Sequence, residues 1–120
     1  MHIAATGLHY GQSCFEGLKA FAQKDGSVAL FRPDENAKRM QASGGRTLMP
    51  ALDTATFVEA CRRVTADNLA FVPPYGSGGA LYLRPLLFGS GPRIGLSPAD
   101  EYTFLVMAMP VGDYYKVGLD

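Results

Sequence analysis

Cysteine and histidine are scarce in this 120-residue chain, and their scarcity removes several chemistries at once. Cys14 and Cys61 stand singly, with no Cys-x-x-Cys pair, so the pattern expected is two reduced thiols in a cytoplasmic protein rather than a disulfide framework. His2 and His9 are the only histidines, and neither has a cysteine or carboxylate at a recurring ligand spacing, so no metal site is expected. No Gly-x-Ser-x-Gly elbow accompanies them, which leaves Cys14 read as a small buried thiol rather than a nucleophile. Net charge is missing as well. Lys+Arg and Asp+Glu are both 11 and no basic block occurs, so nothing supplies the electrostatic footprint that nucleic acid or an anionic membrane would require. Zero net charge also removes colloidal repulsion and eases self-association. Long apolar runs are absent. The longest, Phe104 to Val111, contains Pro110 and falls far short of the ~20 residues that span a bilayer. Met1-His2-Ile3 lacks the basic start and apolar stretch of a signal peptide.

What is present, 48% hydrophobic and 18% charged residues, suits one globular domain. Glycine (14) and proline (8) exceed their usual share and imply many fixed turns. Leu18–Ala22, Lys24–Ser27 and Val28–Phe31 read as strand, turn and strand, with Asp25-Gly26 as the hairpin signal. Asp34-Glu35 open a helical segment over 36–41, which Gly44-Gly45 weaken or end. Asp53 or Thr54 caps a second helix running to about Leu69, with Phe57, Ala60, Cys61, Val64 and Asn68 at helical spacing. Gly79–Phe88 and Glu101–Met109 are apolar runs of β type. The order strand, strand, helix, helix, strand, strand predicts an α+β fold in which two helices pack on an antiparallel sheet.

Two arginines stand out. Arg84 sits inside the apolar run Leu81-Tyr-Leu-Arg-Pro-Leu-Leu-Phe88, where a permanent charge must find a carboxylate or open onto a cleft, and Tyr82 shares its face. Arg39 lies one turn into the first helix, a position that physics alone reads more often as solvated surface. The glycine loop Tyr75–Gly79 lacks the Gly-Lys-Ser/Thr ending of a phosphate loop and precedes a strand, so it is read as a turn.

Four segments resemble branched-chain amino-acid aminotransferases, fold-type IV enzymes dependent on pyridoxal 5′-phosphate (PLP). They are Leu8-His-Tyr-Gly-Gln-Ser-Cys-Phe-Glu-Gly-Leu-Lys-Ala-Phe21, Leu30-Phe-Arg-Pro-Asp-Glu-Asn-Ala-Lys-Arg-Met40, Leu81-Tyr-Leu-Arg-Pro-Leu-Leu-Phe-Gly89, and Tyr102–Val106 through Pro110-Val-Gly112. The resemblance implies that Arg39 is the PLP-phosphate ligand and that Phe15 and Tyr82 wall the pocket for the aliphatic side chain. It implies that Arg84 is the cleft cation for the α-carboxylate of an acidic co-substrate, and that Tyr10, Ile94 and Leu96 reach across a dimer to complete the neighbour's pocket. Residues 1–109 would be the small N-terminal domain and 110–120 the start of the interdomain connection.

The lysine that carries PLP in that family lies in a second domain. Lys19, Lys24, Lys38 and Lys116 match no such motif, so this chain alone is expected to be an inactive fragment of a dimeric cytoplasmic enzyme acting on amino acids and 2-oxo acids. A D-amino-acid aminotransferase or an aminodeoxychorismate lyase of the same superfamily is the nearest alternative, and a non-catalytic self-associating module is the alternative of another class. Ser43-Gly-Gly-Arg46 departs from the family pattern and bears on where the first helix ends.

Overall fold

Residues from Leu81 to Gly89 alternate between buried and half-buried, the signature of a strand with one face on a core, and this strand is the axis on which the rest is built. The computed structural model describes residues 1–112. In chain order these form a one-turn helix α1 (Thr6–His9), strands β1 (Ser13–Phe15), β2 (Leu18–Ala22) and β3 (Val28–Leu30), and helices α2 (Pro33–Arg46) and α3 (Thr54–Asp67). A 3-10 turn (Leu69–Phe71) and strands β4 (Ala80–Gly89) and β5 (Tyr102–Val111) follow. All strand pairings are antiparallel: β5 takes one side of β4 along its full length, while β1 and β2 share the other side and β3 pairs with β2. The α+β class and the two packed helices agree with the sequence expectation. α1 and β1 were not foreseen, and β5 continues to Val111, past the boundary drawn at 109. Residues 113–120, which hold Lys116 and the rest of the expected connection, lie outside the described residues.

β1 and β2 are two pieces of one line along the same side of β4. Phe15 faces Leu86 and Leu18 faces Leu83, so a single register runs through both. The break falls at Glu16-Gly17, opposite Pro85. Glu16 N donates to Pro85 O at 3.0 Å, but proline has no N–H to return the bond, and the ladder loses one rung. Alternation is preserved across the break. Cys14, Glu16, Leu18 and Ala20 are buried, with Cys14, Leu18 and Ala20 in the core that the helices cover, while Phe15, Lys19 and Phe21 are exposed on the other face.

α2 begins with Pro33 in its first turn, and Asp34 and Glu35 there suit the helix dipole. The sequence left two outcomes open at Gly44-Gly45, a weakened helix or an ended one; α2 does not end there but continues to Arg46. Gly44 is buried, and a Cβ there would sit 3.8 Å from Leu87 and Met49 and 3.9 Å from Cys14. Tertiary packing therefore outweighs its weak helix propensity. The stop comes after Thr47: Met49 N donates to Gly44 O (2.9 Å) and Leu48 N to Gly45 O (3.3 Å), a Schellman pattern with Leu48 in the left-handed region at φ 62°. α3 is capped by Asp53, whose carboxylate accepts from Thr56 N at 3.0 Å, and buries Phe57, Cys61 and Thr65. It ends at Asp67, two residues short of Leu69, because the chain tightens into the 3-10 turn. Phe57 meets Phe104 of β5 with ring centroids 5.9 Å apart, which locks α3 to the sheet.

Candidate functional site

Phe15, Glu16 and Gly17 lie at the break between β1 and β2 and serve three different neighbours. Phe15 projects from the face away from the helices, where the Arg84 guanidinium lies 4.2 Å above its ring centroid. Arg84 also donates through Nε (3.2 Å) and Nη2 (2.9 Å) to the Tyr82 hydroxyl. The sequence left open whether Arg84 meets a carboxylate or a cleft. None of the ion pairs among the described residues involves it, and the half-buried cation rests on two aromatic side chains instead. Gly17 packs against Tyr82, and a Cβ there would stand 2.5 Å from the Tyr82 hydroxyl.

Glu16 points to the helix side. Its Oε1 accepts from Arg39 Nε (3.0 Å), Arg39 Nη2 (2.6 Å) and Asn36 Nδ2 (2.9 Å), and Asn36 also donates to Gly17 O at 3.2 Å. The carboxylate is buried while the Arg39 side chain is 68% exposed. Arg39 is thus a surface residue, as elementary physics expected, but one held by a buried anion. A cleft of about 410 Å³ lined by Gly17, Lys19, Phe21, Phe31, Asn36 and Tyr82 joins the two sides of the break.

The remaining expected site residues form a second group. The Tyr10 hydroxyl donates to Ile94 O, and Tyr10 and Leu96 line a cleft of about 360 Å³ with Gln12, Thr47, Leu48 and Pro98. This cleft shares no lining residue with Phe15, Tyr82 and Arg84, so within one chain the structure does not bring the two groups together. Ile94 and Leu96 have highly exposed side chains.

Gln12, which sequence reasoning missed, organises the second group. Its Oε1 accepts from Thr6 Oγ1 (2.8 Å) and Ala99 N (3.1 Å), its Nε2 donates to Thr47 O (2.9 Å) and Tyr102 OH (3.4 Å), and its carbonyl receives Gly89 N (2.9 Å). Glu16 was missed as a separate actor too. The available signal was a carboxylate standing among Cys14, Leu18 and Ala20 at core-facing positions.

Burial pushes the Cys61 thiol up to about 11, and burial followed by the charge of Glu16 raises Cys14. Both thiols are free and buried, which agrees with the reading of Cys14 as a small packed side chain.

No protein-family profile matches the chain. Among curated proteins, the branched-chain-amino-acid aminotransferase of Haemophilus influenzae is 54% identical over 119 residues, which is 99% of this chain and 35% of that protein. The Helicobacter pylori enzyme of the same name is 50% identical over 113 residues, 94% of this chain and 33% of its own length. The chain spans about a third of the curated relatives it matches. Among solved structures, the Escherichia coli branched-chain amino acid aminotransferase aligns with a TM-score of 0.71 at 26% identity, over 93% of this chain and 34% of that one. The branched-chain aminotransferase of Thermoproteus uzoniensis with norvaline aligns at 0.80 and 24% identity, over 98% of this chain and 37% of that one. The Thermobaculum terrenum enzyme in PLP form aligns at 0.64 and 19% identity, over 92% of this chain and 34% of that one. These two share the fold. With half its residues identical along nearly its whole length, and with the same fold, this chain is similar to branched-chain-amino-acid aminotransferases over about a third of their length.

Proposed function

We propose that these residues are the small N-terminal domain of a PLP-dependent, dimeric cytoplasmic enzyme that exchanges an amino group between branched-chain L-amino acids and 2-oxoglutarate. The observation that carries the reading is Arg84: a cation half-buried on Phe15 and Tyr82, without a carboxylate partner among the described residues, is provision for a carboxylate that arrives with the substrate. The aromatic walls beside it accept an aliphatic side chain, whose burial contributes roughly 1.5–3 kcal/mol. Apolar wall and polar rim together let one pocket take leucine, isoleucine or valine and also glutamate. The norvaline carried by the Thermoproteus uzoniensis relative is an aliphatic amino acid of this kind.

The residues present fit PLP. Arg39 is exposed, its Nε edge is occupied by Glu16, and the rest of its donor fork is turned to solvent, which suits a phosphate dianion. When bound, PLP supplies the electron-withdrawing ring on which an amino group is exchanged. Arg39 holds its phosphate, Arg84 and Tyr82 orient the substrate, and Phe15 excludes water from the aliphatic side. Tyr10, Ile94 and Leu96 complete the pocket of the partner subunit. The exposed apolar side chains on the open face of the sheet, Phe15, Phe21, Met107 and Met109 among them, suit cover by a second domain and a second subunit.

The lysine that binds PLP lies outside the third of the enzyme that this chain spans, and Lys19, Lys24, Lys38 and Lys116 do not serve. Assay of the full-length protein with L-leucine and 2-oxoglutarate against D-alanine tests the proposal. Turnover of L-leucine is expected, and activity on D-alanine alone overturns it. Borohydride reduction of the 120-residue chain with PLP is expected to leave no stable label at a single lysine.

A further inference from the structure

We infer that Glu16 is a positioning residue for the cofactor phosphate, acting through Arg39. The inference rests on the reading of Arg39 as the phosphate ligand and assigns a cause for its aim. An exposed arginine ordinarily samples many rotamers, and fixing it costs side-chain entropy when a ligand binds. Here the cost is met before binding. Oε1 of Glu16 takes both Arg39 Nε and Arg39 Nη2, which fixes the guanidinium plane and leaves its other three donors facing outward.

Glu16 is itself immobilised. Its backbone N–H is bonded to Pro85 O, its carboxylate is buried, and Asn36 Nδ2 clamps the same Oε1 from one turn earlier on α2. The break at Glu16-Gly17 belongs to the same construction: Pro85 cannot return the bond it receives from Glu16, and the neighbouring carbonyl of Gly17 accepts from Asn36. A surface ion pair alone contributes little to stability. A buried carboxylate spent on an exposed arginine is therefore better explained by orientation than by stabilisation.

Cofactor affinity of the full-length enzyme, freed of PLP and titrated with PLP or with pyridoxal, which lacks the phosphate, separates the two roles. Glu16→Gln is expected to weaken PLP by ~10-fold and to change pyridoxal by less than about two-fold. In an Arg39→Ala background the same substitution is expected to add nothing. Asn36→Ala, which removes the second clamp and keeps the charge, is expected to shift the PLP-to-pyridoxal ratio in the same direction by less, and it serves should E16Q fail to fold. Equal weakening of PLP and pyridoxal, penalties that multiply with Arg39→Ala, or unchanged PLP affinity each overturn the inference. Loss of PLP affinity in E16Q with none in Arg39→Ala overturns the reading of Arg39 instead.

Discussion

Replacing Gln12 by leucine keeps the volume of the side chain and deletes its polar atoms, so the cost is read almost purely from hydrogen bonds. Two buried donors lose their acceptor: the Thr6 hydroxyl and the Ala99 amide, both on residues that are themselves buried. The carbonyl of Thr47 and the hydroxyl of Tyr102 are less enclosed, and water replaces the Nε2 donor there at little cost. An orphaned buried donor costs about 1–3 kcal/mol. Two of them, offset by roughly 1 kcal/mol from the added apolar burial, give a loss of about 3 kcal/mol. Urea unfolding of Gln12→Leu against the parent measures it, with the midpoint falling and the slope unchanged. Native-state hydrogen exchange supplies the local counterpart: the Ala99 amide exchanges faster relative to amides of β4, because the segment before β5 is tied to the sheet edge through this side chain. A loss below about 1 kcal/mol, or an Ala99 amide still protected with the core, refutes the view of Gln12 as the hub.

Gly17→Ala places a methyl group against the Tyr82 hydroxyl and displaces the acceptor of both Arg84 bonds, so in the full-length enzyme KM for glutamate is expected to rise several-fold more than KM for leucine. Leu48→Gly relieves a left-handed leucine whose side chain is mostly exposed and is expected to stabilise the fold by about 1 kcal/mol, read as a higher urea midpoint. Acid weakens the start of α3. Hydrogen bonds from Arg62 and Arg63 hold Glu59 down to about 2, and the Thr56 side chain lowers Asp53. The unfolded chain takes up these protons first, so their contribution is complete above the ordinary 4.5 of glutamate and is lost as pH falls towards 2. The double variant Asp53→Asn, Glu59→Gln is expected to show a flatter acid limb in thermal unfolding.

Features decided by neighbours in the chain were legible before the structure. Asp25-Gly26 announced the hairpin, and Gly26 has φ 90°; Asp53 or Thr54 announced a cap, and it is the Asp53 carboxylate that accepts from Thr56 N. Tyr82 and Arg84 were placed on one face from their spacing alone, and they share a hydrogen bond. What was not legible is decided at a distance. Glu16 finds Arg39 across 23 residues, and Gln12 finds Ala99 across 87, so no local rule could pair them. Gly44 stays helical because Leu87 and Cys14 lie beside it, a tertiary fact that propensity does not contain.

The placing of β4 at the centre of the sheet sets an order of events in the making of the protein. β1 and β2 touch no common strand until residues 80–89 arrive, whereas the β2–β3 hairpin and the α2–α3 pair draw on contacts close in sequence. On the ribosome, a nascent chain that has emerged only to residue 79 therefore holds local pieces and no sheet edge, with Phe15 lacking the cation that later covers it. Pairing across so long a separation is slow. Arg84, Tyr82 and Pro85 all enter on the same strand, so ring, cation and interrupted ladder assemble in a single late step.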